Sequence, residues 1–205
     1  MSNIDLRGKL IVFEGLDFTG KSTQVALLAD RLQDAGLPVT TTREPGGTPL
    51  GEAVREVILS NENTELVPLS ELLLFMTCRA QLSATIIEPA LAAGRVVVSS
   101  RFRLSSLAYQ GYGRGIDLDL IRRLNEAATA GRHPDITLLI DLDPQIALRR
   151  KQGEGDRIEG EDLSFYERVR EGYLALTRDD AAVHRIDGSR SVEKIAAAVR
   201  DLLGV

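Results

Sequence analysis

The chain has 205 residues, 43% hydrophobic and 27% charged, which suits one domain with a core of its own and excludes collagen-like, low-complexity and disulfide-scaffold architectures. A net charge of -5 and a pI of about 5.2 argue against nucleic acid as a partner, because a duplex is held through a basic face. The single cysteine, Cys78, has no partner within the chain and points to a reducing compartment.

Short apolar runs alternate with helical periodicity. Residues 10–13 (LIVF) read as a buried strand, and Val25, Leu28, Ala29 and Leu32 then mark one helix face, with Gly36 as its stop. A β-branched strand is expected at 39–42 and a helix at 50–60. Leu69, Leu72, Leu73, Met76 and Ala80 open a long amphipathic helix running to Ala93, which Pro89 should kink or end. Residues 95–99 form a third strand, 117–130 a helix, and 136–142 (ITLLIDL) a fourth strand, with Pro144 opening the next helix. Leu163, Tyr166, Val169 and Tyr173 share a helical face, 183–186 make a short last strand, and Val192, Ile195, Ala196, Val199, Leu202 and Leu203 form a C-terminal stripe. Solidly apolar strands separated by helices predict an α/β domain over 1–205, with a parallel sheet covered by helices on both faces.

Between the first strand and the first helix stands Gly15-Leu16-Asp17-Phe18-Thr19-Gly20-Lys21-Ser22, which fits G-x-x-x-x-G-K-[ST]. The glycines let backbone N–H groups turn toward phosphate oxygens, and the helix behind adds its positive end. Lys21 is one of only four lysines in the chain. In this pattern it reaches the β- and γ-phosphates, and the Ser22 hydroxyl holds Mg2+, with Asp17 a second metal candidate. The expected ATP-binding loop therefore runs from Gly15 through Leu16, Asp17, Phe18, Thr19, Gly20, Lys21 and Ser22 to Thr23. The sequence has neither the N-K-x-D motif of a GTPase nor the LSGGQ-like segment of a transporter ATPase, and its length suits a compact nucleotide kinase.

Further segments carry a resemblance. Phe13-Glu14-Gly15-Leu16-Asp17, Thr42-Arg43-Glu44-Pro45-Gly46-Gly47-Thr48, Leu74-Phe75-Met76-Thr77-Cys78-Arg79, Ser105-Ser106-Leu107-Ala108-Tyr109-Gln110-Gly111 and Asp156-Arg157-Ile158-Glu159 together resemble thymidylate kinases, in order and spacing, over nearly the whole chain. The resemblance implies the P-loop nucleoside monophosphate kinase fold with a five-stranded parallel sheet. It implies ATP-dependent phosphorylation of dTMP to dTDP in dTTP synthesis, Mg2+ as cofactor, ATP and dTMP as ligands, and a homodimer. Carried over residue by residue, Phe75 would stack on thymine, Arg79 would hydrogen-bond its carbonyl edge, and Ser106 would read the base edge, with Ser105 and Gln110 in the same site. Tyr109 would pack near the deoxyribose C2′, Asp17 would accept from the 3′-hydroxyl, Arg55 and Arg101 would clamp the phosphate, and Glu44-Pro45 would shape the floor.

An arginine commonly stabilises the transferring phosphoryl group, yet none stands between the P-loop glycines. The chain therefore resembles the bacterial-type design with arginines in a lid, here about 149–160. Arg149, Arg150 and Arg157 join Lys21 and Arg101 as candidate catalytic cations, unranked among themselves. One departure stands out: the third strand of the family usually ends Asp-Arg-aromatic, and here Ser100 precedes Arg101-Phe102. Serine loses the negative charge beside Arg101, so a slow kinase with nucleotide binding kept is expected. A kinase for another nucleoside monophosphate and a catalytically silent nucleotide-binding homologue are the alternatives. Asp141 ends an apolar strand in the manner of a Walker-B acid, and His133 and His184 lack metal-ligand spacing. With no signal-like N-terminus and no apolar run of about 18 residues, a cytoplasmic protein without a membrane partner is expected.

Overall fold

The computed structural model describes residues 5–205. Its strands are β1 (Leu10–Glu14), β2 (Val39–Arg43), β3 (Val96–Ser100), β4 (Ile136–Asp141) and β5 (Val183–Asp187), all parallel in the order β2-β3-β1-β4-β5. In the central strand β1 all five residues are buried, Phe13 lying opposite both Ser100 and Leu138. The helices are α1 (Lys21–Asp34), α2 (Pro49–Leu59), α3 (Pro68–Leu82), α4 (Glu88–Ala92), α5 (Arg103–Ser106), α6 (Leu118–Thr129), α7 (Pro144–Arg149), α8 (Leu163–Leu176) and α9 (Val192–Leu203).

Alternate strand residues feed opposite cores, as the period of two requires. Ile11, Phe13, Val98, Leu138 and Ile140 pack against Val25, Leu28 and Leu32 of α1 and Ile195, Val199 and Leu203 of α9. Leu10, Val12 and Val97 face the other way, onto Leu82, Ile87, Leu91 and Phe102. A third cluster joins Leu16 and Leu139 to Phe75, Tyr109, Phe165, Tyr166 and Tyr173 beyond the strand ends. From β1 the chain runs out to β2 and back to β3 on one side, then crosses β1 to β4 on the other. The ends of these strands thus form the switch point where open α/β sheets take ligands.

The long helix expected from Leu69 to Ala93 is present as a continuous helical path with one wide turn. Regular α3 gives way to a π-helical segment at Ser83–Ile87, and Pro89 sits in the first turn of α4. Proline has no N–H and its ring crowds the carbonyl four residues back, so the backbone widens just before it. A second π-helical segment, Leu107–Gly113, continues α5; periodicity gave no signal for either. Among the described residues no helix is long and apolar enough to cross a membrane.

Candidate active site

The loop after β1 has the backbone that its glycines permit. Gly15 has φ +138, and a Cβ there would meet the Ile140 carbonyl oxygen at 2.4 Å, so only glycine fits. Gly20 caps α1 at φ 89 without a side-chain cap, and the first turn carries no acid, which leaves the helix N-terminus open to an anion. Phe18 is held at φ 64, a sparsely occupied region for a bulky residue. Thr19 Oγ1 donates to the Leu16 carbonyl at 2.9 Å, and the buried Lys21 ammonium donates to the same oxygen at 2.5 Å. Burial, then the charge of Arg101, pull Lys21 down from 10.5 to about 7 against the pull of Asp17 and Glu14. Ser22 and Thr23 are exposed at the mouth of the loop.

Arg101 crosses this loop from the end of β3. Its φ of 73 is unusual for a non-glycine residue, the kind of backbone strain found at functional sites. The guanidinium donates to the Gly15 carbonyl and Ser105 Oγ, both at 3.1 Å, to the hydroxyls of Tyr109 at 3.1 Å and Tyr173 at 3.3 Å, and to Asp17 Oδ1. Asp17 Oδ2 accepts from Tyr109 at 2.9 Å. Burial alone would raise the Asp17 carboxyl, but Arg101, Lys21 and Tyr109 together hold it below its usual range. Each Asp17 oxygen is thus already engaged within the protein. Beneath this pair lies Glu14, fully buried, accepting from the backbone N–H groups of Phe102 (2.9 Å) and Ser105 (3.2 Å), Ser105 Oγ (2.5 Å) and Tyr173 (3.0 Å). Burial raises its pKa. Glu14 stands in the first motif of the resemblance, which implies no role for it.

Beside the loop opens a cleft of about 580 Å³. Asp17, Glu44, Pro45, Arg55, Phe75, Arg79, Arg101, Ser105, Ser106, Tyr109 and Gln110 all line it, so every residue expected at the acceptor site meets there. Leu59, Asp156, Ile158 and Glu159 complete the wall. None of these four is among the acceptor residues that the resemblance implies, and the Asp156-Arg157-Ile158-Glu159 segment is the sequence signal that points to three of them. At one end Arg55 donates to the Pro45 carbonyl at 2.9 Å, and burial followed by the charge of Arg43 lowers its pKa.

The other end is built around Arg79, 1% exposed. Its Nε and Nη2 donate to Glu44 Oε2, Nη2 also to the Phe102 carbonyl at 2.9 Å, and Nη1 to Ser106 Oγ at 2.9 Å and Asn125 Oδ1 at 2.7 Å. Every N–H of the guanidinium is therefore committed, and a base carbonyl would have to share one of these donors. Glu44 Oε1 is buried without a partner among the described residues, and burial raises the Glu44 carboxyl despite Arg79.

The lid arginines separate. Arg157 is tied down: Nε donates to the Ile58 carbonyl at 3.0 Å, Nη2 to Glu71 Oε2 at 2.7 Å, and its backbone N–H to the Leu59 carbonyl at 3.1 Å. Arg150 reaches the Gly188 carbonyl at 3.2 Å, just beyond β5. Arg149 is exposed and meets no hydrogen-bonding partner among the described residues. Asp141, the Walker-B-like acid, is bonded to Arg170 and Arg185 instead of facing the P-loop. Among the described residues no His/Cys/Asp/Glu cluster has the arrangement of a metal cage, and His133 is exposed beside Glu126.

Comparison with known proteins agrees with this geometry. The thymidylate kinase family model matches residues 13–199. A thymidylate kinase of Pelotomaculum thermopropionicum is 47% identical over 193 residues, 93% of this chain and 89% of that one. Another, from Caldanaerobacter subterraneus subsp. tengcongensis, is 50% identical over 175 residues, 85% of this chain and 84% of its own. The crystal structure of thymidylate kinase from Ehrlichia chaffeensis superposes with a TM-score of 0.80 at 35% identity, covering 95% of this chain and 98% of that one. A family-model match over most of the length, with curated relatives and a solved structure alike over nearly the whole chain, places this chain in the thymidylate kinase family.

Proposed function

We propose that the chain transfers the γ-phosphoryl group of ATP to dTMP, giving dTDP and ADP. The observation that carries this reading is one continuous cleft, in which Arg55 and Arg101 stand near the P-loop end and Phe75, Arg79, Ser106 and Gln110 supply an aromatic face and polar groups for a base. A phosphate oxygen of dTMP attacks the γ-phosphorus in line, the bond to the β-phosphate oxygen breaks, and ADP leaves. The transition state spreads charge over the equatorial oxygens, and positioned cations stabilise it. Lys21 lies where the P-loop lysine meets the β- and γ-phosphates, and Arg101 joins the P-loop to the acceptor site. Tyr109 keeps Asp17 oriented toward the sugar, and a hydroxyl there would find a carboxylate already ionised.

Ser22 suits Mg2+ in this reading: its hydroxyl is an exposed oxygen donor at the first turn of α1, and Mg2+ takes few protein oxygens and leaves the rest to phosphates and water. Bound there, the ion would neutralise charge on the phosphates of ATP. Asp17, with both oxygens engaged, is the weaker metal candidate. The 149–160 segment acts as the lid, anchored at Arg157 and carrying Arg149 and Arg150 toward ATP. Leu50 and Val57 of α2 and Leu69 and Leu73 of α3 are exposed on two helices that pack together, and a second copy of the chain covers them in a homodimer. The reducing cytoplasm suits the free, buried Cys78.

The test is steady-state ADP production with ATP across dTMP, dUMP, dGMP, CMP and UMP. dTMP should give the highest kcat/KM; preference for another monophosphate, or no turnover at all, refutes the reading.

A further inference from the structure

Glu71 takes no part in the function described above, yet it is the most heavily bonded carboxylate near the base end of the cleft. It lies on α3, is 1% exposed, and does not itself line the cleft. Its Oε1 accepts from Gln110 Nε2 at 2.9 Å and from Arg114 Nε at 3.2 Å. Its Oε2 accepts from Arg157 Nη2 at 2.7 Å and Arg114 Nη2 at 3.2 Å. Gln110 does line the cleft, from the π-helical segment.

We infer that Glu71 is a positioning residue for base selection: it turns the amide nitrogen of Gln110 away from the cleft and leaves the carbonyl oxygen Oε1 to meet the base. The amide group has two ends of the same shape, one a donor and one an acceptor, and only its partners decide which way it lies. Two arginines on Glu71 keep it ionised. Burial alone would raise its pKa, but Gln110, Arg114 and Arg157 outweigh burial and hold it below the usual carboxylate range. An ionised carboxylate only accepts. The flipped amide would set two oxygens 2.9 Å apart where the structure has N–H···O, so that orientation is closed to it. No described residue donates to Gln110 Oε1, which leaves this oxygen to take a donor from the ligand.

An acceptor fixed at this place selects a ring N–H. Thymine and uracil carry a hydrogen on ring nitrogen 3; cytosine carries a lone pair there and would set nitrogen against oxygen. This inference rests on the dTMP reading of the cleft and names the group that enforces it. It also links base selection to the lid, because Arg157, which anchors the lid, is one of the two cations that keep Glu71 ionised.

The experiment measures kcat/KM for dTMP and dCMP, with ATP, in the wild-type chain and in Glu71→Gln. Glutamine at 71 offers a donor and an acceptor, so Gln110 can take either orientation. The dTMP-to-dCMP preference should then fall about tenfold or more, the scale of removing one hydrogen bond from a site built around it. A merely structural role would slow both substrates in parallel, and a ratio within about threefold of wild type, measured on that same scale, overturns the inference. Gln110→Leu provides a second arm should Glu71→Gln fail to fold, since it removes the acceptor while leaving Glu71 with both arginines. It should lose the same preference, and keeping it overturns the inference. Turnover of dTMP by wild type with an unchanged ratio in Glu71→Gln refutes the role of Glu71 and leaves the reading of the cleft standing. Absence of dTMP turnover in wild type refutes the reading of the cleft and this inference with it.

Discussion

Lys21 should take up a proton when the P-loop fills. In the free protein its ammonium is buried, bonded to the Leu16 carbonyl and close to Arg101, which brings its pKa down to about 7. At pH 8 roughly one-tenth of the molecules then carry the proton, and at pH 7 about half. A polyphosphate brings several negative charges to the ammonium and restores its charged form. Binding of an ATP analogue that cannot transfer its γ-phosphoryl group should therefore absorb about 0.9 proton at pH 8 and about 0.5 at pH 7. The ligand supplies no compensating proton at pH 8, because a terminal phosphate with pKa near ~6 is already ionised there. Isothermal titration calorimetry in buffers of different ionisation enthalpy measures the uptake directly, and Lys21→Met should abolish it. Uptake below about 0.2 proton at pH 8, or equal uptake in Lys21→Met, refutes the reasoning. The same depression sets the sign for stability. Between about 7 and 10.5 the unfolded chain binds more protons at this position, so the contribution of Lys21 to stability rises with pH across that window.

Arg79→Ala leaves Glu44 buried without its cation, and denaturant unfolding should show a loss of about 3–5 kcal/mol, whereas Lys9→Met, which breaks a part-exposed pair with Asp135, should cost less than about 1 kcal/mol. Alanine at Arg149 or Arg150 should lower kcat by about 10²-fold or more in at least one case, while Arg157→Ala should act chiefly on KM by releasing the lid anchor. Steady-state kinetics at saturating ATP separate the two, and a kcat loss confined to Arg157→Ala reverses the assignment. Ser100→Asp should leave kcat flat or lower it, and a rise of about tenfold, the scale of a new electrostatic contact in the site, contradicts that.

Much of this architecture is legible in the residues themselves. LIVF at 10–13 and ITLLID at 136–141 are too apolar for anything but strands buried on both faces, and the P-loop pattern fixes where the sheet meets phosphate. The acceptor residues are legible only through resemblance, since Phe75 within Leu72–Met76 reads more readily as core, and indeed it packs with Cys78 and Tyr109 while lining the cleft. What stayed hidden depends on long-range partners. Glu71 has no local signal, because its bonds run to residues 39, 43 and 86 positions away. Arg157 reads as a mobile lid cation until its bonds to Ile58 and Glu71 are seen. The π-helical segments escape a search at period 3.6 because they interrupt that period, and one of them sets Tyr109 and Gln110 into the site.

Ser100 shows how a departure read from sequence changes meaning once its neighbours are in place. Taken alone, a serine before Arg101 removes a charge from a site that handles charge. The structure supplies that charge from other residues: Asp17 pairs with Arg101 directly, and Glu14 lies beneath, within reach of both Arg101 and Lys21. Ser100 itself is buried, with Phe13 and Arg43 as its strand neighbours, and its carbonyl accepts from the Glu44 N–H at 3.0 Å. A carboxylate at this position would bring a further negative charge to a site where Asp17 and Glu14 already act on Arg101 and Lys21. Like charges brought close in a poorly hydrated site repel far more strongly than in water. The added charge would repeat what Asp17 already gives Arg101, so the rate gains little from it. Serine can stand here because Asp17 and Glu14 already leave Arg101 compensated.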